Sequence, residues 1–89
     1  LVSLKAFLGP YIRRRRKALN QTQISIARHL NISSQFLGKI EKGEVNCPES
    51  ALRKLIQILD FRKSDLKQIY LEAALTQVDG LLGILSKKK

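Results

Sequence analysis

Residues 33–43, SSQFLGKIEKG, place hydrogen-bonding side chains at helical spacing. Gln35 and Lys39 are four positions apart and therefore share one face of a helix, opposite Leu37 and Ile40. A carboxamide can bond the N6 and N7 positions of adenine, and an ammonium group can reach guanine O6 or N7. Because an α-helix fits the major groove of B-DNA, we predict that Gln35 and Lys39 contact bases.

Two further residues lie on this predicted face. Ser34 can reach either a base or a phosphate, and its hydroxyl suits both roles. Glycine inside a helix lowers stability by about 1 kcal/mol relative to alanine, so we expect Gly38 to allow a close approach between this helix and another group. Either it lets the helix lie deeper in a groove, or it relieves crowding against the preceding helix. We group Ser34, Gln35, Gly38 and Lys39 as base contacts.

Phosphate contacts are expected at the amino ends of helices, where free amides and the helix dipole favour anions. Gln23 and Ser33 occupy two such ends. The run RRRRK, residues 13–17, is typical of nucleic-acid-binding tracts, but neighbouring residues point around the whole circumference of a helix. Arg14 is therefore assigned either to a phosphate contact or to a solvated face that raises the positive field.

The sequence offers no grouping for catalysis or metal binding. It contains one cysteine, Cys47, and one histidine, His29, which cannot assemble a four-ligand zinc site. No carboxylate pair and no nucleophile with a base occur at useful spacing. We therefore expect neither an enzyme nor a cofactor, and we expect Cys47 to be a turn residue rather than a reactive thiol.

The charge of the chain favours a polyanionic partner. Its 89 residues include 17 Lys and Arg against seven Asp and Glu, a formal net charge of +10. Residues 1–44 hold nine bases and two acids, so the first half should face the anion. No apolar run approaches the length of about 18 residues that a membrane span requires, and no signal peptide is recognisable. We expect a soluble, cytoplasmic protein that has no membrane partner.

Apolar residues recur at intervals of three and four, which predicts an all-α fold. We expect one domain over residues 1–74 and a C-terminal segment, residues 75–89, that can serve dimerisation. Helix 1 is predicted from about Pro10 to Lys17, because proline suits a first turn or a kink.

Capping residues delimit the next two helices. Thr22 can accept hydrogen bonds from the first amides of helix 2, and Asn31 tolerates the left-handed conformation at its end. Ser33 caps helix 3 in the same way, and Gly43 closes it with a residue that is free to take positive φ. Two short helices joined by a tight turn are therefore predicted.

Two more helices complete the prediction. Pro48 begins helix 4 and Ser64 caps helix 5. Their inward faces are predicted to consist of Leu52, Leu55, Ile56 and Leu59, followed by Leu66, Ile69, Tyr70 and Ala73.

Leucines in the C-terminal part of the chain form a second apolar stripe. Heptad spacing relates Leu71, Leu75, Val78, Leu82 and Leu85. A single chain cannot bury both this stripe and the core-facing one, so we infer a long helix 5 that meets its mate across a two-fold axis. Gly80 and Gly83 weaken such a helix, and LLGIL could instead fold back on its own domain.

The run TQISIARHLNISSQFLGKIEKG resembles the Cro/repressor (XRE) family of helix-turn-helix proteins. The motif positions are Thr22, Gln23, Ala27, Glu41 and Gly43. The likeness extends to Leu8, Gly9, Ile12 and Arg16, and to residues 48–66. It implies a five-helix lambda-repressor-like DNA-binding domain, with helices 2 and 3 as the helix-turn-helix, residues 33–42 as recognition helix, and an extended C-terminal helix.

The resemblance also implies roles for particular residues. Gln23, Lys42 and Asn46 match family positions that bind the phosphate backbone. Arg16 and Glu41 match positions that form an ion pair inside the domain. Arg15 departs from the pattern, since the family usually has an apolar residue there.

In function, the likeness implies a sequence-specific regulator that binds double-stranded DNA, expected to be a repressor and a homodimer. The alternative is an antitoxin-type module that binds a toxin partner and its own operator.

Overall fold

The computed structural model describes the backbone of residues 4–87 and the side chains of residues 4–76. Within that part of the chain it is all-α, as predicted. The five helices are α1 (Lys5–Ala18), α2 (Gln23–Leu30), α3 (Ser34–Glu41), α4 (Glu49–Ile58) and α5 (Lys63–Lys87).

Local capping fixes the turn between α2 and α3. The Thr22 hydroxyl accepts a hydrogen bond from the Ser25 amide at 3.0 Å, and the Ser33 hydroxyl accepts one from the Phe36 amide at 3.0 Å. Asn31 ends α2 in the left-handed conformation, with φ 57°. Gly43 follows α3 with φ +76°. The predicted boundaries of these two helices are confirmed.

The core lies where α1 and α4 meet the inner faces of α2 and α3. α1 packs on α3 and α5, and α2 packs on α3 and α4. The largest fully buried side chains are Ile12, Ile26, Leu37, Ile40, Leu55 and Leu59. Consequently α3 is covered on its inner side by two helices, and its outer side is left to solvent.

The predicted start of helix 1 at Pro10 is wrong. α1 begins at Lys5, and Pro10 lies inside it. The Leu4 carbonyl accepts from the amides of Phe7 and Leu8, which starts the helix five residues earlier. The hydrogen bond that proline cannot donate would have gone to Ala6, an exposed residue, so the missing bond does not leave a group inside the core.

Two expectations for α5 are also wrong. The helix begins at Lys63, so Ser64 lies in its first turn rather than at its cap. Ile69 is buried but Tyr70 is 51% exposed. One residue further along the helix is a rotation of about 100°, which turns Tyr70 from the core to its rim. There it borders an open groove with Leu4 and Leu52.

The expected apolar stripe on α5 is described only in part. Leu71 and Leu75 are about half exposed, at 51% and 52%. The side chains of Val78, Leu82 and Leu85 lie outside the described residues. The α5 backbone is continuous across residue 74, so no change in secondary structure marks the predicted boundary between domain and C-terminal segment.

Candidate nucleic-acid interface

The outer face of α3 brings the predicted base-contact residues together. Gln35 and Lys39 are exposed, while Ser34 and Gly38 are half-buried on the same side. The Ser34 hydroxyl lies 3.4 Å from Gln35 Oε1. Because Leu37 is fully buried on the opposite side, this face presents polar and basic groups to solvent.

A buried ion pair holds α3 from behind. Arg16 Nε lies 2.7 Å from Glu41 Oε2, and Arg16 Nη2 donates to Glu41 Oε1 at 3.0 Å. The two side chains are only 9% and 1% exposed. Arg16 Nη1 also donates to the Gln21 carbonyl at 2.8 Å. One guanidinium thus links α1, the turn before α2, and the end of α3, in the fork geometry that suits carboxylates.

Gln23 joins this network from the first position of α2. Its Nε2 donates to Glu41 Oε1 at 3.0 Å. One of its two N–H groups is thereby engaged and the other is available to a phosphate. Sequence reasoning missed the contact with Glu41, which fixes the side chain beside α3.

The glycines of α1 and α3 differ in what surrounds them. A Cβ built on Gly9 would lie 2.2 Å from the Ile40 carbonyl oxygen, so only glycine allows α1 and α3 to approach this closely. A Cβ on Gly38 would meet the Gln23 side chain at 3.7 Å, an ordinary van der Waals contact. Crowding against α2 therefore does not explain Gly38.

Three of the predicted phosphate contacts lie at the ends of α3 or beyond it. Ser33 is exposed and uses its oxygen to cap the helix, which leaves its O–H free to donate. Lys42 and Asn46 are exposed at and after the C-terminal end of the helix. Lys42 adjoins the outer face of α3, whereas Asn46 also lines the open groove with Leu4 and Tyr70.

Arg14 lies away from this face. Its guanidinium carbon is 5.7 Å from the centre of the Tyr11 ring, and it borders a depression with Asp65 and Gln68 of α5. Residues that are two positions apart on a helix differ by a rotation of about 200°. Arg14 therefore points away from the direction in which Arg16 extends toward α3. The expected phosphate contact by Arg14 is therefore not supported by its position.

Arg15 has a role that the sequence did not reveal. Its Nε donates to the Leu59 carbonyl at 3.1 Å and its Nη2 to the Asp60 carbonyl at 3.2 Å. It thus binds the two carbonyls that directly follow the last residue of α4, next to the helix end where the dipole favours a cation. The signal was the presence of arginine at a position where the related family usually has an apolar residue.

Tyr11 connects α1 to α5. Its hydroxyl donates to Asp65 Oδ2 at 2.8 Å, and its ring meets Phe61 edge to face with centroids 4.9 Å apart. Burial and, secondly, the hydrogen bond to Asp65 raise the pKa of Tyr11 above its usual value. The phenol therefore stays neutral and serves packing.

The described residues contain no group of three or more His, Cys, Asp or Glu side chains that could hold a metal ion. Burial raises the pKa of the Cys47 thiol to about 11, which keeps it protonated at neutral pH. Within the same residues, no helix has the length and apolar character to span a bilayer.

Comparison with known proteins agrees with this geometry. The family model of the helix-turn-helix domain matches residues 8–68. The chain belongs to the helix-turn-helix domain family. In this helix-turn-helix domain, α2 and α3 are the two helices of the motif. The matched residues 8–68 also include the Arg16–Glu41 ion pair behind these helices.

A solved structure has the same fold. The helix-turn-helix domain resembles the crystal structure of the clp gene regulator ClgR from Corynebacterium glutamicum, with a TM-score of 0.70 and 20% sequence identity. The match covers 93% of this chain and 89% of that one. A comparison with curated proteins gave no match.

Proposed function

We propose that this chain is a transcriptional regulator that binds double-stranded DNA sequence-specifically, with α3 in the major groove. The observation that carries the proposal is the outer face of α3. It is polar and basic, it is left open by α1 and α2, and a buried network holds it in place. A rigid ridge of this kind suits the readout of base edges, which needs side chains held at fixed positions.

The side chains divide into two roles. Gln35 and Lys39 read base edges, assisted by Ser34. Lys42 and Asn46 bind phosphates on one side of the face, while Gln23 and Ser33 bind them at the amino ends of α2 and α3. The formal charge of +10 attracts the duplex before any specific contact forms.

We further propose that the protein acts in the cytoplasm as a homodimeric repressor. Repression requires only that the operator be occupied. The half-exposed Leu71 and Leu75 favour a partner on α5, since they present apolar surface on the outer side of a long helix. A second copy of the chain gives two recognition helices that address repeated half-sites. A toxin seated on the same surface is the alternative, and the two differ in what co-purifies.

Selection of bound sites from random duplexes at a fixed salt concentration tests the proposal. We expect an enriched motif with two half-sites, since a two-fold dimer reads two copies of one sequence. If the wild-type chain enriches no sequence, specific recognition is excluded.

Three variants then assign the roles of the residues. Gln35→Ala should cost about 1–3 kcal/mol at one base pair and blur the preference there. Lys42→Ala should weaken binding to all sequences alike. It should also reduce by about 1 the slope of the logarithm of the binding constant against the logarithm of the salt concentration. Arg14→Ala is the matched control, because it removes one charge on the α5 side of α1 and should change preference least. Equal effects of Gln35→Ala and Lys42→Ala on every sequence would contradict the assigned roles.

A further inference from the structure

Gly38 occupies a place on α3 where the protein itself does not require glycine. A Cβ at this position would meet Gln23 Nε2 at 3.7 Å and Oε1 at 3.9 Å, with no closer neighbour. Glycine inside a helix is less stable than alanine, since it loses more backbone freedom on folding. Contacts within the domain therefore do not account for Gly38, and what the missing Cβ permits is a close approach of a bound partner to this side of α3.

The surface at Gly38 is a small apolar spot. The Gly38 carbonyl accepts from the Lys42 amide at 3.1 Å, and its own N–H is engaged inside the helix. Only the Cα hydrogens face outward. The Gln23 side chain lies on the α2 side of Gly38. Gln35 and Lys42 are exposed three and four positions away, which puts them on the same face of the helix. Since a Cβ at Gly38 would meet nothing closer than 3.7 Å, the place that this missing side chain leaves, here called the notch, has room for about one methyl group.

Among the groups on the major-groove edges of the four bases, one is an apolar substituent of this size: the 5-methyl group of thymine. We infer that the notch at Gly38 receives a thymine methyl and makes this position a determinant of thymine at one base pair of the half-site. The inference rests on the proposed function, because it requires α3 to lie in the major groove. It adds a base preference that the hydrogen-bonding side chains do not supply.

The fit predicts that the interface accommodates one methyl group, either on residue 38 or on the base, but not both. Alanine at position 38 adds to the helix a methyl group that occupies the notch. Deoxyuridine in place of thymidine removes the methyl group from the base and leaves the pairing edge unchanged. Gly38→Ala should therefore reject thymine at this base pair and accept uracil.

The test uses the duplex that the wild-type chain selects, with each thymidine replaced singly by deoxyuridine. At one position in each half-site, this replacement should weaken the binding of the wild-type chain about fourfold, which corresponds to the loss of one buried methyl group. Gly38→Ala should bind the thymidine duplex about tenfold or more weakly than wild type. It should recover affinity on the duplex with deoxyuridine at that same position. Urea denaturation should show Gly38→Ala to be folded and no less stable than wild type.

The control is Gln57→Ala, an alanine substitution at an exposed position of α4 that has no proposed role in binding. This variant should respond to each single deoxyuridine replacement as the wild-type chain does. The inference is overturned if no thymidine position depends on residue 38, or if Gly38→Ala weakens specific and random duplexes equally, which would put the notch against the sugar-phosphate backbone. Failure of the proposed function would differ from both results, since the wild-type chain would then select no sequence.

Discussion

Replacement of Glu41 by glutamine should remove much of the stability of the domain. The carboxylate is 1% exposed and bonds Arg16 twice, at 2.7 and 3.0 Å. A carboxamide keeps the shape but has one acceptor atom, so the Arg16 guanidinium loses one bond and its neutralising charge. Removal of one partner of a buried ion pair costs about 3–5 kcal/mol. A chain of 89 residues has a free energy of unfolding of about 4–13 kcal/mol in total.

The chain offers a matched control for this change. Glu49 and Arg53 form an ion pair with the same N–O distance, 2.7 Å, but both side chains are 77% exposed. Solvent screens such a pair, so Glu49→Gln should change the free energy of unfolding by no more than about 0.5 kcal/mol. Urea denaturation followed by circular dichroism measures both variants. If Glu41→Gln and Glu49→Gln lose the same amount, burial of the pair does not determine its contribution and the reasoning is refuted.

Three further predictions concern the stability of the domain. Gly9→Ala places a Cβ 2.2 Å from the Ile40 carbonyl oxygen, so α1 and α3 must separate. The urea midpoint of this variant should fall by an amount that corresponds to about 1–3 kcal/mol in the free energy of unfolding. An unchanged midpoint would show that α1 and α3 can separate at this contact without loss of stability. Arg15→Ala should cost about 1 kcal/mol in the same assay because the carbonyls of Leu59 and Asp60 lose a cationic partner, whereas Arg15→Lys should recover part of it. Stability should fall as the pH rises from 9.0, the ordinary thiol pKa, toward about 11, because the unfolded chain ionises Cys47 before the folded chain does. Cys47→Ala should lack this part of the fall.

The ends of α2 and α3 could be predicted because the interactions that set them are local. Thr22 and Ser33 cap amides three residues ahead of them, and Asn31 and Gly43 adopt backbone conformations that their own residue types favour. The polar face of α3 follows from the spacing of its apolar residues. Sequence patterns report such short-range physics directly.

The misses depend on the environment that the folded chain gives to a residue, which the spacing of residue types does not report. Pro10 is accepted within α1 because the lost hydrogen bond falls on an exposed residue, which spacing alone does not reveal. Tyr70 has the spacing of a core residue, but it lies at the rim. Arg15 donates to two carbonyls just after α4, which are 44 and 45 residues away along the chain. Pairing of Arg16 with Glu41 came from the family resemblance and not from the residues alone.

The contacts that hold α3 lie on its inner surface. Among the described residues, the buried Glu41, Leu37 and Ile40 bind it to the other helices, whereas the exposed side chains of Gln35 and Lys39 contribute no bond to α1 or α2. If these two side chains read base edges as proposed, exchanges at their positions should alter the target sequence while folding stability stays within about 0.5 kcal/mol of the original. Such a scaffold would then acquire new target sequences by single substitutions, and a library randomised at the two positions should consist mostly of folded proteins.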